Sequence, residues 1–142
     1  GTPDFSGFVY YFADMVKQIW DSEEVARRVD AWKAEMASTI SAIQTELAKH
    51  PDDVKRNVYY VRGDKNRGIG YTDTVGSFTE YAYKVLGMIP LNDRFETNEP
   101  SAEEICAQNP DVFVVGGIYQ KTLLETLTTT EPYKNLDAVK NG

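Results

Sequence analysis

Two arginines, a tyrosine and a run of glycines form the stretch of this sequence best suited to chemistry. Gly63-Asp64-Lys65-Asn66-Arg67-Gly68-Ile69-Gly70 lies just beyond the apolar run Val58-Tyr59-Tyr60-Val61. An open α/β sheet places its ligand at that point, past the carboxyl end of a strand. The spacing from Gly63 to Gly68 imitates a phosphate-binding loop. However, Ile69-Gly70 stands where Lys-Ser/Thr is required, so no lysine reaches the phosphates and no hydroxyl holds magnesium. The dinucleotide pattern G-x-G-x-x-G is absent as well. Two readings remain for the loop: a mobile surface segment, or a ligand contact made by Arg62, Arg67 and Tyr71. Guanidinium groups suit carboxylates and oxyanions, which gives the second reading its chemistry. Tyr119 follows Gly116-Gly117 at the end of a second apolar run, and core packing and rim contact are both open to it.

Other reactive residue types carry less. Cys106 falls inside an expected helix without a His/Asp pair, the setting of an inert thiol rather than a nucleophile. His50 stands at an expected helix end and reads as a cap or surface residue. The pairs Glu23-Glu24 and Glu103-Glu104 sit in expected first helical turns, where negative charge is stabilising by itself. No carboxylate pair for acid–base work is identifiable. The expectation is therefore no catalytic residue, no metal site and no cofactor.

Composition narrows the classes further. Lys and Arg number 15 against 22 Asp and Glu, a net charge of -7, and a nucleic-acid surface needs the opposite balance. With one cysteine and one histidine, neither a disulfide framework nor a Cys- or His-based zinc motif is expected. No apolar run approaches the roughly 18 residues of a membrane helix, and no basic-then-apolar signal peptide is visible. Gly1-Thr2-Pro3 reads as an artificial boundary rather than a natural start. A length of 142 residues suits about one domain with one core.

The elements that must position these residues follow from periodicity. Phe5, Phe8, Phe12, Val16 and Ile19 recur at helical steps. Asp21 offers a cap, with Glu24 three residues on. Val25, Val29, Trp32, Met36, Ile40, Ile43 and Leu47 then form a stripe that predicts a helix over 22–49, roughly 42 Å long at about 1.5 Å per residue. Arg27, Asp30, Lys33 and Glu46 occupy its other side. His50-Pro51 closes it. Beyond lies strand 58–61, helix 77–86 ended by Gly87, a loop with Pro90, Asn92 and Pro100, and a helix capped by Ser101 and stopped by Asn109-Pro110. Val112-Phe113-Val114-Val115 reads as a strand buried on both faces, followed by helix 118–127. Alternating strand and helix imply right-handed crossovers and a parallel sheet.

A longer pattern runs through the chain: Ser22-Glu23-Glu24-Val25-Ala26, Val58-Tyr59-Tyr60, Gly76-Ser77-Phe78, Leu86-Gly87, Ser101-Ala102-Glu103-Glu104-Ile105 before Asn109-Pro110-Asp111-Val112, and the ending Leu136-Asp137-Ala138-Val139-Lys140-Asn141-Gly142. It resembles the helical-backbone (class III) solute-binding proteins of ABC importers, which carry iron–siderophores, haem, cobalamin and some oxyanions. One departure is Gly87-Met88-Ile89-Pro90-Leu91-Asn92 where the family often has Gly-Gly-x-Asn.

The resemblance implies a three-layer, Rossmann-like α/β lobe with a short parallel sheet, preceded by a long spine helix. Residues 1–21 would adjoin an N-terminal lobe that is missing, 22–50 would be the spine between lobes, and 51–142 the C-terminal lobe, incomplete at its end. Arg62, Asn66, Arg67, Tyr71, Gly117 and Tyr119 would line one wall of a solute cleft. Glu103, or Glu104 if the helix phase differs, would dock to a membrane permease. The implied partners are an iron chelate or similar solute and the ABC permease, with no nucleic acid. A spine left without one lobe would expose an apolar face near residues 8–32 or self-associate. The implied setting is a periplasm or a lipid-anchored extracellular surface. A molybdate or tungstate receptor of the same family, and an α/β enzyme domain using a nucleotide or metal, are the alternatives.

Overall fold

The computed structural model describes residues 5–51, 55–63 and 66–141, with the side chains of 5, 6 and 8 outside that description. The first four residues, 52–54, Asp64, Lys65 and Gly142 therefore lie outside it, as do the Phe5 and Phe8 side chains.

Helices α1 (Phe5–Ile19) and α2 (Glu23–Leu47) form a hairpin. Tyr10 meets Trp32 edge-on with centroids 6.4 Å apart. Lys17 reaches Asp30 at 2.8 Å and Lys33 reaches Asp14 at 2.9 Å. Asp30 and Lys33, expected on a solvated side, are thus the cross-links to α1. Phe12 and Ile19 of the expected α1 stripe are exposed instead. Ser22, not Asp21, is the N-cap of α2, and its side chain makes no cap hydrogen bond. The expected partner Glu24 is engaged by Arg27 and Arg28, which fixes it one turn downstream. At 25 residues α2 is about 37 Å long, and none of its residues is buried.

The rest is an α/β unit. Among the described residues three strands, β1 (Asn57–Val61), β2 (Ile89–Pro90) and β3 (Val112–Val115), form a parallel sheet in the order β2-β1-β3. Tyr59 pairs with Phe113 and Val61 with Val115. β2 lies inside the segment expected to be a loop. A two-residue strand containing proline carries no periodic signal, yet proline is tolerated here. The ladder bonds are donated by Ile89 to Arg56 and by Leu91 to Val58, at 2.9 Å each, so Pro90 gives up no donor. β3 is not buried on both faces: it sits at one side of the described sheet and its four residues are half-buried. The central, best-covered strand is β1.

Alternation along β1 splits the sheet's faces. Tyr59 and Val61 enter the main core with Ile69, Leu91, Ile105, Leu123, Leu127, Tyr133 and Leu136. These come partly from α4 (Ala102–Ala107) and α5 (Gln120–Thr129). Phe95 and Phe113 flank the Tyr59 ring edge-on. On the other face, Tyr60 meets Tyr83 of α3 (Phe78–Val85) with centroids 6.4 Å apart. Burial pushes the Tyr83 hydroxyl up to about 12. Helices on both faces of a short parallel sheet make the three layers that the family resemblance implies. A four-residue helix, α6 (Asp137–Lys140), ends the described chain.

Candidate functional site

The carboxyl edge of the sheet is shaped by two loops. After β1 the chain turns out and returns, and Tyr71 C=O accepts from the backbone N–H of Arg62 at 2.8 Å and of Gly63 at 3.3 Å. The Tyr59 hydroxyl donates from the core toward Ile69 and Gly70 C=O, both at 3.2 Å. The loop is thereby pinned at its base and supported from below. Loop residues Asp64 and Lys65 lie outside the described residues.

Arg62, Arg67 and Tyr71 come together. The guanidinium carbon of Arg67 lies 4.5 Å from the centre of the Tyr71 ring and that of Arg62 lies 5.4 Å from it. Such cation–π contacts hold long side chains in defined positions. Each guanidinium also faces a carboxylate. Arg62 Nη1 is 3.4 Å from Asp73 Oδ1, and Arg67 Nη1 is 3.2 Å from Glu99 Oε1. Asn66 is exposed beside them.

The second loop closes against the first. Gly116 N–H donates to Val61 C=O at 2.9 Å. Gly117 has φ +86°, and a β-carbon there would lie 3.2 Å from Arg62 C=O and 3.3 Å from Gly63 C=O. Glycine is favoured on both counts, conformation and approach. Tyr119 is half-buried against the core, so packing takes part of its ring.

A buried polar cluster holds the segment between Tyr71 and α3. The Glu80 carboxylate accepts from Gly76 N–H, from the Lys84 ammonium and from Asn92 Nδ2. Asn92 Nδ2 also donates to Thr74 C=O at 3.3 Å. Burial by itself pushes the Glu80 carboxyl up, but these three donors together hold it below the usual carboxylate value. Asp73, which meets Arg62, is carried by this segment and is itself buried.

The two docking candidates have different roles. Ser101 and Glu104 form a capping box: Ser101 N–H donates to Glu104 Oε2 at 2.7 Å, and Glu104 N–H to Ser101 Oγ at 3.2 Å. Glu104 is therefore held by its own helix, while Glu103 is exposed outside the box. Cys106 is half-buried, and burial first and Glu103 second push its thiol up, away from the reactive thiolate.

Away from the sheet edge, an apolar groove of about 520 Å³ runs between α2 and α3. Trp32, Met36, Ile40 and Ile43 form one side, Phe78 and Val85 the other. Among the described residues, no helix is long and apolar enough to cross a membrane.

A family model described as periplasmic binding protein matches residues 5–142. The chain belongs to that family. Solved structures of similar fold include one described as a possible iron-binding (periplasmic solute-binding) protein from Staphylococcus epidermidis ATCC 12228. It has 24% identity and a TM-score of 0.73, and the match covers 93% of this chain and 49% of that one. An ABC transporter substrate-binding protein from Listeria monocytogenes EGD-e has 17% identity and a TM-score of 0.72, covering 94% and 52%. An ABC transporter solute binding protein from Sulfurospirillum deleyianum DSM 6946 has 19% identity and a TM-score of 0.65, covering 91% and 40%. The periplasmic binding protein chain described here thus spans about half the length of the solved proteins it matches. Among curated proteins none matches it.

The sequence singled out neither Asp73 nor Glu99, the acids that face the two arginines; it marked Tyr60 in its strand but not the seating of the Tyr60 hydroxyl against Gly116. Glu99 is 32 residues from Arg67, and no local pattern links them. Asp73 stands two residues past Tyr71 in a segment without regular secondary structure, so no periodic pattern marks it.

Proposed function

We propose that this chain is the C-terminal lobe and spine of an extracytoplasmic receptor. In this reading it captures an iron chelate or related solute in a cleft and delivers it to an ABC permease. The observation that carries the reading is the convergence of Arg62, Arg67 and Tyr71 at the carboxyl edge of a parallel sheet, beside the close-packed Gly117. Two guanidinium groups and an aromatic face suit an anionic chelate, with hydrogen-bonding Asn66 and the hydroxyl of Tyr119 at the rim. Binding and release need no covalent step, and the reading assigns none. Residues 22–50 act as the spine between lobes. The length of α2, its lack of any buried residue and the apolar groove along it support that role. Residues 1–21 adjoin the N-terminal lobe, and 51–142 form the C-terminal one.

Glu103 is the docking residue toward the permease. Its carboxylate is exposed on a rigidly capped helix and suits a bidentate arginine contact. Glu104 serves the cap. The receptor works in a periplasm or tethered by a lipid outside the cell.

Native mass spectrometry of the receptor purified from its own source tests the reading. A co-purified ferric chelate or haem is expected. Molybdate or tungstate would shift the assignment to the oxyanion receptors, and a bound nucleotide with turnover would overturn it in favour of an enzyme.

A further inference from the structure

The two arginines at the sheet edge are not equivalent, and the difference lies in the acids that face them. Asp73 is enclosed, with its side chain 12% exposed, and its segment is tied down by the Glu80 cluster. Glu99 is 53% exposed and sits on the loop between Arg94 and Ser101. The backbone of that loop is nonetheless tied by a hydrogen bond on one side of Glu99 and closely packed on the other. Asn98 C=O accepts from Thr72 N–H at 3.0 Å, and a β-carbon on Gly70 would lie 2.9 Å from Pro100 C=O. Glu99 N–H donates to Thr97 Oγ1 at 3.1 Å. The Glu99 side chain can therefore swing into solvent without the loop moving.

With carboxylates already facing both guanidinium groups, the wall has little net charge to attract an anion. One carboxylate must leave for an anionic group to take its place. An exposed ion pair is worth little, about 0–1 kcal/mol, whereas separating the enclosed Asp73 from Arg62 leaves a poorly solvated charge. The pair that opens is Arg67–Glu99.

We propose that Glu99 is an internal stand-in for the solute's anionic group and sets the specificity of the wall. Both guanidinium groups lie over Tyr71, and Arg62, held by the enclosed Asp73, is the fixed arginine. Arg67 exchanges Glu99 for a carboxylate or oxyanion of the solute. Solutes with an anionic group of sufficient hydrogen-bonding strength displace Glu99, and uncharged ones do not gain from its departure. This rests on the receptor reading above.

The test uses the complete receptor and three probes measured by calorimetry: ferric citrate, molybdate and an uncharged ferric trihydroxamate. Glu99→Gln removes the competing charge but keeps the side chain's size. Glu96→Gln, on the same exposed loop, controls for loss of a loop charge alone. The expected result is about two- to fivefold tighter binding of an anionic probe by Glu99→Gln, the ratio that an exposed ion pair's worth converts to. Glu96→Gln should change it by less than half as much, and neither variant should change trihydroxamate binding. Anion affinity unchanged or weakened in Glu99→Gln, or raised equally by Glu96→Gln, overturns the stand-in role and leaves the receptor reading standing. Binding of the uncharged probe alone also overturns it. Binding of none of the three overturns the receptor reading for these solute classes, and the stand-in with it.

Discussion

A β-carbon on Gly116 would lie 2.3 Å from the Tyr60 hydroxyl oxygen and 2.9 Å from the ring carbon that bears it. The glycine after β3 is thus a seat for a tyrosine of the neighbouring strand, at the edge where Arg62 leaves the sheet. Gly116→Ala should destabilise the fold by about 1–3 kcal/mol through overpacking. Tyr60→Phe in that background should recover part of the loss, because the ring carbon stays in place. Chemical denaturation of the two single variants and the double variant measures the coupling. Additive effects would show that the two residues do not meet.

The Glu80 cluster gives a pH signature. Its carboxyl is lowered from 4.5, so the unfolded chain binds the proton more readily than the folded one. The cluster's contribution is therefore fully present above that ordinary value and is lost as pH falls through the lower folded value. Glu80→Gln should cost about 1–3 kcal/mol near neutrality, by turning donors toward donors in a buried site. The gap to the parent should narrow as pH drops below 4.5. A gap independent of pH would mean that the carboxylate charge is not what holds the segment.

Glu103 and Glu104 should separate cleanly. Glu104→Ala breaks the capping box and should lower the melting temperature, as should Ser101→Ala, at about 0.5–2 kcal/mol for the latter. Glu103→Ala should leave the melting temperature and solute affinity unchanged while reducing uptake in cells at limiting solute. Wild-type uptake with Glu103→Ala would remove the docking role.

Trp20 and Trp32 are both exposed, and Trp32 lines the apolar groove. Residues 1–142 produced alone should self-associate, with quencher access to Trp32 falling as concentration rises. Sedimentation velocity alongside fluorescence quenching measures both. A strictly monomeric species with both indoles shielded from quencher would contradict the spine assignment.

How far residues spoke for themselves depended on how local their partners are. The α2 helix was legible because seven apolar residues repeat at steps of three and four, and helix 77–86 because Ser77 and Gly87 bound it. The run Val58-Tyr59-Tyr60-Val61 marked a strand, but its central place was not legible, since burial on both faces was expected of 112–115 instead. β2 was not legible, since Ile89 and Pro90 pair with Asn57 and Val58, more than 30 residues away. The Asp30 and Lys33 pairs with α1 were hidden for the same reason: a helix face looks solvated until its neighbour is placed. At the candidate site, chemistry type and loop position pointed to Arg62, Arg67 and Tyr71, and the structure brings them together. Their opposing acids come from other loops, and only the folded chain sets them face to face.

The central claim is that Arg62 and Arg67 hold the solute. Calorimetry of the complete receptor with the solute that co-purifies with it, on Arg62→Ala and Arg67→Ala, tests it most directly. Each variant should lose about 1–3 kcal/mol of binding free energy; the melting temperature of the unliganded protein should stay nearly unchanged in Arg67→Ala and fall in Arg62→Ala, which strips the enclosed Asp73 of its partner. Both single variants binding as tightly as the parent would contradict the account and place the site elsewhere.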